Sequence, residues 1–244
     1  MSESDTIFSP RYWAVVPAAG IGQRMNVAIP KQYLEIQGKT LMEHTLERLL
    51  QFTLLEKIVV VLAKNDQHAS KLPVLNDPRV MTAEGGAERY LSVINGLEVL
   101  DSCAHGRDWV LVHDVARPCV RLADLEWLVE CLRQHPVGGL LGTQVRDTMK
   151  RTGVDSAITE TVERAGLWHA FTPQMFRKKM LSEALRCAIR QETPITDEAS
   201  AMEMQGYRPL MVDGHSDNIK VTSGPDLALA SLYIEQQAKL IENP

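Results

Sequence analysis

Several things are scarce in this sequence, and each scarcity removes a class of explanation. Only four cysteines stand among 244 residues, at positions 103, 119, 131 and 187, with no C-x-x-C pair and no His/Cys cluster. Neither a disulfide framework nor a thiolate metal site is expected; idle thiols in a reducing compartment are. Basic residues are outnumbered, 26 Lys and Arg against 31 Asp and Glu, for a net charge of −5. No global positive field would attract nucleic acid or an anionic membrane, so any anion has to be caught locally. Long apolar runs are missing too: the longest block is "IVVVLA", far below the roughly 20 residues of a membrane span. The opening "MSESDTIFSPRYW" has no basic region followed by an apolar core, so a cytoplasmic location is expected. No repeat, low-complexity tract or Pro/Gly/Ser linker divides the chain, and residues 1–244 are expected to form one domain.

What is present alternates. "YWAVV", "KIVVVLA" and "DWVLVHD" are short, rich in Val and Ile and continuously apolar, the pattern of strands covered on both faces. Between them lie helical patterns. "TLMEHTLERLLQF" begins with Thr40 and Glu43 spaced as a capping box, and "ERYLSVINGLEVL" repeats apolar residues at Tyr90, Val93, Ile94, Leu97 and Leu100. "DLEWLVECLRQ", "KKMLSEALRCAIRQ" and "DLALASLYIEQQAKLI" add three more. The order predicts an α/β fold, a doubly wound and mainly parallel sheet of Rossmann-like type. Residues 146–166, "RDTMKRTGVDSAITETVERAG", depart from it. A turn signal at Gly153 to Ser156 between polar, β-branched flanks predicts a hairpin arm with too little apolar surface to stand alone.

In an open parallel sheet the loop after the first strand is the usual phosphate contact. Here that loop is "PAAGIGQRMNVAIPK", from Pro17 to Lys31. Ala18, Ala19, Gly20 and Gly22 leave successive backbone N–H groups unobstructed for a triphosphate. Position 25 is Met, so the third glycine of the dinucleotide fingerprint is missing, and no GxxxxGK[ST] occurs. Arg24 and Lys31 could each be an ordinary surface cation. Taken together, the order small-small-Gly-x-Gly-x-Arg-Met followed by Pro-Lys resembles the signature of nucleotidyltransferases that join a nucleoside triphosphate to a phosphorylated sugar or polyol. Gln23 stands where many of them have Thr.

Further stretches narrow the likeness: "GGAERYLSV", "VHDVARP", "VRDTMK", "LWHAFTPQ", "TPITDEASAME" and "DNIKVT". In this order they are similar to the cytidylyltransferase family of the non-mevalonate isoprenoid route, from about Trp13 to the last helix. The resemblance implies that CMP is transferred from CTP to 2-C-methyl-D-erythritol 4-phosphate, with Mg²⁺ or another divalent cation, in a cytoplasmic homodimer joined through the hairpin arm. It implies that Arg24 and Lys31 stabilise the transition state and that Lys220 orients the attacking phosphate. Pro17, Ala18, Ala19, Gly20, Gly85, Gly86, Ala87, Ser92 and Asp114 would hold CTP. Arg117, Thr148, Thr172 and Thr196, with Asp114 and Lys220, would line the polyol-phosphate pocket, and Arg164 would reach the substrate phosphate in the neighbouring subunit. Asp114, at a strand end, could also meet the metal, directly or through water. The family usually has Asp where this chain has Ala87, so only backbone contacts are expected there. His113 and His169 lie inside motifs, but their spacing suits no metal, and they are read as hydrogen-bonded structure. Three other readings stay open: a cytidylyltransferase for ribitol or glycerol phosphate, a glycosyltransferase on a similar sheet, and a non-catalytic nucleotide-binding module. The second usually carries Asp-x-Asp, which this chain lacks; the third would not need both Arg24 and Lys31.

Overall fold

The computed structural model describes residues 9–20 and 29–242. Arg24, with Gly22 and Gln23, lies outside them. The chain runs through β1 (Tyr12–Pro17), β2 (Glu35–Ile36), β3 (Lys39–Thr40), α1 (Leu41–Gln51), β4 (Leu55–Leu62), β5 (Val80–Glu84) and α2 (Arg89–Val99). It continues with β6 (Trp109–Val112), α3 (Leu122–Leu132), β7 (Gly138–Gln144), β8 (Met149–Thr152), β9 (Ile158–Val162) and β10 (Trp168–Arg177). The remainder comprises α4 (Lys178–Arg190), α5 (Glu198–Met204), β11 (Leu210–Asp213) and α6 (Gly224–Glu242).

Seven of these strands form one sheet in the order β11-β7-β10-β6-β1-β4-β5. β1 pairs in parallel with β4 and β6, β4 with β5, and β7 with β11, while β10 runs antiparallel between β6 and β7. The three strands expected from their apolar runs are thus neighbours at the centre. Their residues divide by alternation. Ala14, Val16, Ile58, Val60 and Leu111 pack with Met42, Leu46, Leu49, Leu125 and Leu128 of α1 and α3. Trp13, Val15, Val59, Val61, Val110 and Val112 pack on the other face with Val93, Leu97, Leu181, Leu185 and Met202 of α2, α4 and α5. Both faces are covered, which is why the runs are continuous rather than alternating. Gly96 lets α2 lie close to the sheet, since a Cβ there would stand 2.6 Å from Val15 Cγ1.

α1 starts as its sequence predicts: the Thr40 hydroxyl accepts the Glu43 N–H at 3.2 Å, and the Glu43 carboxylate accepts the Thr40 N–H at 2.8 Å. β8 and β9 pair antiparallel, Met149 opposite Val162 and Lys150 opposite Thr161, forming the expected hairpin. Its turn puts Ser156, not a glycine, in the left-handed region at φ 63°. The arm is solvent-exposed along almost its whole length. All four cysteines are free, and burial pushes the Cys119 thiol up to about 12, with Asp217 adding to the effect. No helix among the described residues is long and apolar enough to cross a membrane.

Candidate active site

The segments that follow β1, β5 and β6 converge on a cleft of about 740 Å³ lined by Ala18 to Gly20, Lys31, Gly86 to Arg89, Ser92, Asp114 and Lys220, among others. That volume is within the range of small-molecule sites. Each wall follows from local geometry. Ala18 still belongs to the ladder: its N–H donates to Val61 O at 2.8 Å and its carbonyl accepts from Gln32 Nε2 at 2.8 Å. Beyond it the backbone leaves the sheet, and among the described residues nothing accepts from the Ala19 or Gly20 N–H. Nor does any described residue lie within 4 Å of where a Gly20 Cβ would stand. Two amides at a strand end with no side chain over Gly20 suit an anion.

The second wall is the loop into α2. Gly85 donates to Leu62 O at 2.7 Å, and Gly86 donates to Ser92 Oγ at 3.2 Å. A Cβ on Gly85 would stand 2.2 Å from Ala19 Cβ, and one on Gly86 would stand 2.4 Å from Leu91 Cβ. Gly85 allows the two loops to touch, Gly86 lets its loop lie against the first turn of α2, and buried Ser92 holds that loop from beneath. Ala87 is exposed at the mouth.

The third wall carries the charge. Asp114, one residue past the His113 that follows β6, is 7% exposed. Its Oδ1 accepts from Arg89 Nε at 2.9 Å, its Oδ2 meets Lys220 Nζ at 2.7 Å, and Arg117 Nε lies 3.8 Å from Oδ2. Burial alone would raise its pKa. The charges of Arg89 and Lys220 outweigh that and hold the carboxyl well below the usual range. Arg89 also forks onto buried Glu198, at 2.7 and 3.2 Å. With Lys31 and Glu88, which also line the cleft, four cations stand against three carboxylates among the described residues here, so the locality keeps a positive excess in a chain that is negative as a whole.

Behind Asp114 lies a buried relay. The Asp114 N–H donates to Thr172 Oγ1 at 3.0 Å, the Thr172 hydroxyl meets His113 Nδ1 at 3.1 Å, and His113 Nε2 meets Arg117 O at 3.0 Å. The carbonyl can only accept, so the ring proton sits on Nε2 and Nδ1 accepts from Thr172. Burial, foremost, pushes the His113 pKa down to about 4 and keeps the ring neutral. Lys220 is placed by its neighbours: Asn218 Nδ2 donates to Thr172 O at 2.8 Å, and the Val221 N–H donates to Ala116 O at 2.8 Å.

The structure therefore brings together Pro17, Ala18, Ala19, Gly20, Lys31, Gly86, Ala87, Ser92, Asp114 and Lys220 around one cleft. Gly85 and Arg117 stand directly behind them. Thr172 is buried with its hydroxyl engaged on both sides. Thr196 is exposed just ahead of α5, and Thr148 and Arg164 are exposed at the arm; none of the three lines this cleft. The Arg164 guanidinium donates to Arg146 O. His169 is exposed on β10. Arg89 and Glu198 were not anticipated. Both sit inside quoted stretches, yet nothing in the order of residues pairs positions 109 apart.

Among the described residues no group of three or more His, Cys, Asp or Glu could hold a metal. Both Asp114 oxygens are already engaged by cations. Mg²⁺ commonly keeps several waters and takes its other ligands from phosphates, so among the described residues this set is compatible with an ion held by a bound nucleotide and not with a cage built by the protein.

Comparison with known proteins agrees with this geometry. The family model described as IspD, 2-C-methyl-D-erythritol 4-phosphate cytidylyltransferase, matches residues 12–236. A protein of that name from Tolumonas auensis is 50% identical over 226 residues, covering 93% of this chain and 97% of the relative. One from Photobacterium profundum is 50% identical over 231 residues, again 93% and 97%. Among solved structures, a 4-diphosphocytidyl-2C-methyl-D-erythritol synthase superposes with TM-score 0.81 at 36% identity, covering 93% of this chain and all of that one. The Francisella tularensis cytidylyltransferase gives 0.80 at 34%, covering 91% and 99%. With a match that runs through every wall of the cleft, the chain belongs to the 2-C-methyl-D-erythritol 4-phosphate cytidylyltransferase family.

Proposed function

We propose that this chain transfers the CMP group of CTP to 2-C-methyl-D-erythritol 4-phosphate. An oxygen of the substrate phosphate attacks the α-phosphorus in line, a new P–O bond forms, and the α–β bridging bond breaks with its electron pair leaving on pyrophosphate. The observation that carries the reading is the cleft itself, in which two backbone amides with no acceptor among the described residues, Lys31 and Lys220 surround one space beside Asp114. No general base is called for, because a phosphate monoester with a second pKa of about 6 is largely dianionic at neutral pH. The protein's task is to align two polyanions and to offset charge on the five-coordinate phosphorus.

In this reading the Ala19 and Gly20 amides and Lys31, with Arg24, face the triphosphate, and Lys220 orients the attacking phosphate. Asp114 is placed to accept from a hydroxyl of ribose or polyol. The carbonyls of the Gly85 to Ala87 loop accept from the cytosine amino group. A Mg²⁺ carried in by CTP supplies further neutralisation of phosphate charge when bound. The polyol side is incomplete within one chain, since Thr148 and Arg164 are off the cleft. We assign them to a homodimer in which each arm, residues 146–166, serves the partner's site. The remainder of the chain acts as one nucleotidyltransferase domain.

The test is a matrix: purified protein with Mg²⁺, each of the four ribonucleoside triphosphates, and methylerythritol, ribitol or glycerol phosphate, followed by pyrophosphate release. Rapid release is expected only with CTP and methylerythritol phosphate, with UTP slower by about 10-fold or more for the mismatched polar edge. Chelation by EDTA should abolish it. Equal rates with ribitol phosphate would favour the neighbouring polyol specificity, against which membership in this family already argues.

A further inference from the structure

Arg89 is the first residue of α2 and directly follows the Gly85 to Glu88 loop. Its guanidinium joins two carboxylates from other parts of the chain: Nε reaches Asp114 at the end of β6, and Nη1 and Nη2 fork onto Glu198 at the start of α5. Glu198 is fully buried and has no freedom to follow a moving partner. The start of α5 is fastened in turn. Asp197 caps it by accepting the Ser200 N–H at 2.9 Å, Gln174 Nε2 donates to Asp197 at 2.8 Å, and Gln174 Oε1 accepts the Ala199 N–H at 2.7 Å. An unbroken chain of bonds therefore runs from β10 through α5 and Glu198 to Arg89, and from Arg89 to Asp114.

An arginine lining a nucleotide cleft would ordinarily be read as a phosphate ligand. Here all three guanidinium nitrogens are engaged by two buried carboxylates, so few donors are left for an incoming anion. Its geometry is that of a brace. The fork shape is also specific, because an ammonium is a single point and cannot span both carboxylates with in-plane bonds. We propose that Arg89, anchored by Glu198, is a positioning residue: it fixes the Asp114 carboxylate and ties the nucleotide loop to it, leaving Lys220 and, further off, Arg117 at the other carboxylate oxygen. The inference rests on the reading above that Asp114 contacts CTP or the polyol.

The test is a double-mutant cycle between Arg89→Lys and Asp114→Asn in the full chain, read on the CTP dissociation constant and on steady-state kinetics for both substrates. Arg89→Lys keeps the charge and loses the brace. It should lower kcat/KM for CTP about 10-fold or more. In the Asp114→Asn background the same change should cost less than about 2-fold further, because the residue through which Arg89 acts is already gone. Glu198→Gln should reproduce part of the Arg89→Lys effect, although Glu198 does not line the cleft. Wild-type CTP parameters in Arg89→Lys would overturn the proposal, and so would losses that multiply in the double variant, the result expected of an independent phosphate ligand. Should Arg89→Lys not fold, the pair Arg89→Met with Glu198→Gln, which leaves no lone charge at Glu198, takes its place in the cycle. Misfolding of that pair as well would make the role structural and end the proposal. If Asp114→Asn alone behaves as wild type, it is the reading of the site that fails, an outcome distinct from the others.

Discussion

Lys31 and Lys220 are both lysines on the cleft, yet their surroundings give them different work. Lys220 is already bound to Asp114 at 2.7 Å, so it is oriented before any ligand arrives. Lys31 belongs to a short turn with Gln32 and Tyr33 at the rim, beyond the end of β1. On the proposed mechanism its charge counts most once the α-phosphorus is five-coordinate. Lys31→Ala is therefore expected to lower kcat by about 10²-fold or more with a smaller change in KM for CTP, and Arg24→Ala to do the same. Steady-state kinetics decide it: a raised KM with kcat intact would make these cations ground-state ligands instead. Lys31 was legible as a cleft residue because the order of types around it is unusual; Arg24, in the same stretch, lies outside the described residues. Arg89 was not legible, because its meaning lies in partners, Asp114 and Glu198, that only the folded sheet and α5 bring within 3 Å of it.

The end of β6 acts as a unit with the stretch of β10 beside it. β10 changes register against β7 between Ala170 and Gln174, and Thr172 in that interval turns its hydroxyl to Asp114 N–H and His113. This relay has a signature in pH. His113 has its pKa lowered to about 4 from 6.5, chiefly by burial, so between those values the unfolded chain takes up a proton that the folded chain refuses. Its contribution is fully present above pH 6.5 and falls as the pH drops towards 4, at up to about 1.4 kcal/mol per unit and roughly 3 kcal/mol in all. Urea unfolding of wild type and His113→Gln from pH 7.5 to 4 checks it: the stability gap between them should narrow by about that amount on acidification, and a gap independent of pH would show that the ring does not titrate this way. The central strands and the longer helices were readable from apolar runs and 3.6-residue spacing. α5 was not, since seven residues are too few to display a period, and its Asp197–Ser200 cap shows only with the structure in hand. Nor was the antiparallel insertion of β10, because strand order is decided by what packs, not by local pattern.

At the scale of the molecule, the arm is the part that one chain leaves unexplained. Its polar flanks and turn made the hairpin legible, while local spacing alone does not say what would cover it. Met149, Val154 and Ile158 are exposed on it, and its polar rungs, such as Arg151 with Glu160 at 2.6 Å, are exposed as well. Surface pairs of this kind contribute little, and an isolated hairpin is marginal in water. Arg164, at its base, lies off its own chain's cleft. If arms are exchanged about a two-fold axis, every site combines one chain's Lys31 with the other chain's Arg164. Mixing then has a definite outcome. A Lys31→Ala chain paired with an Arg164→Ala chain gives one site with both lesions and one with neither. Random exchange makes half of the dimers mixed, so activity should recover from near zero to about a quarter of wild type when the sites are independent. Should each Arg164 serve its own chain, every site in every dimer keeps one lesion and mixing restores nothing, which would sink the shared site even if the protein proved dimeric.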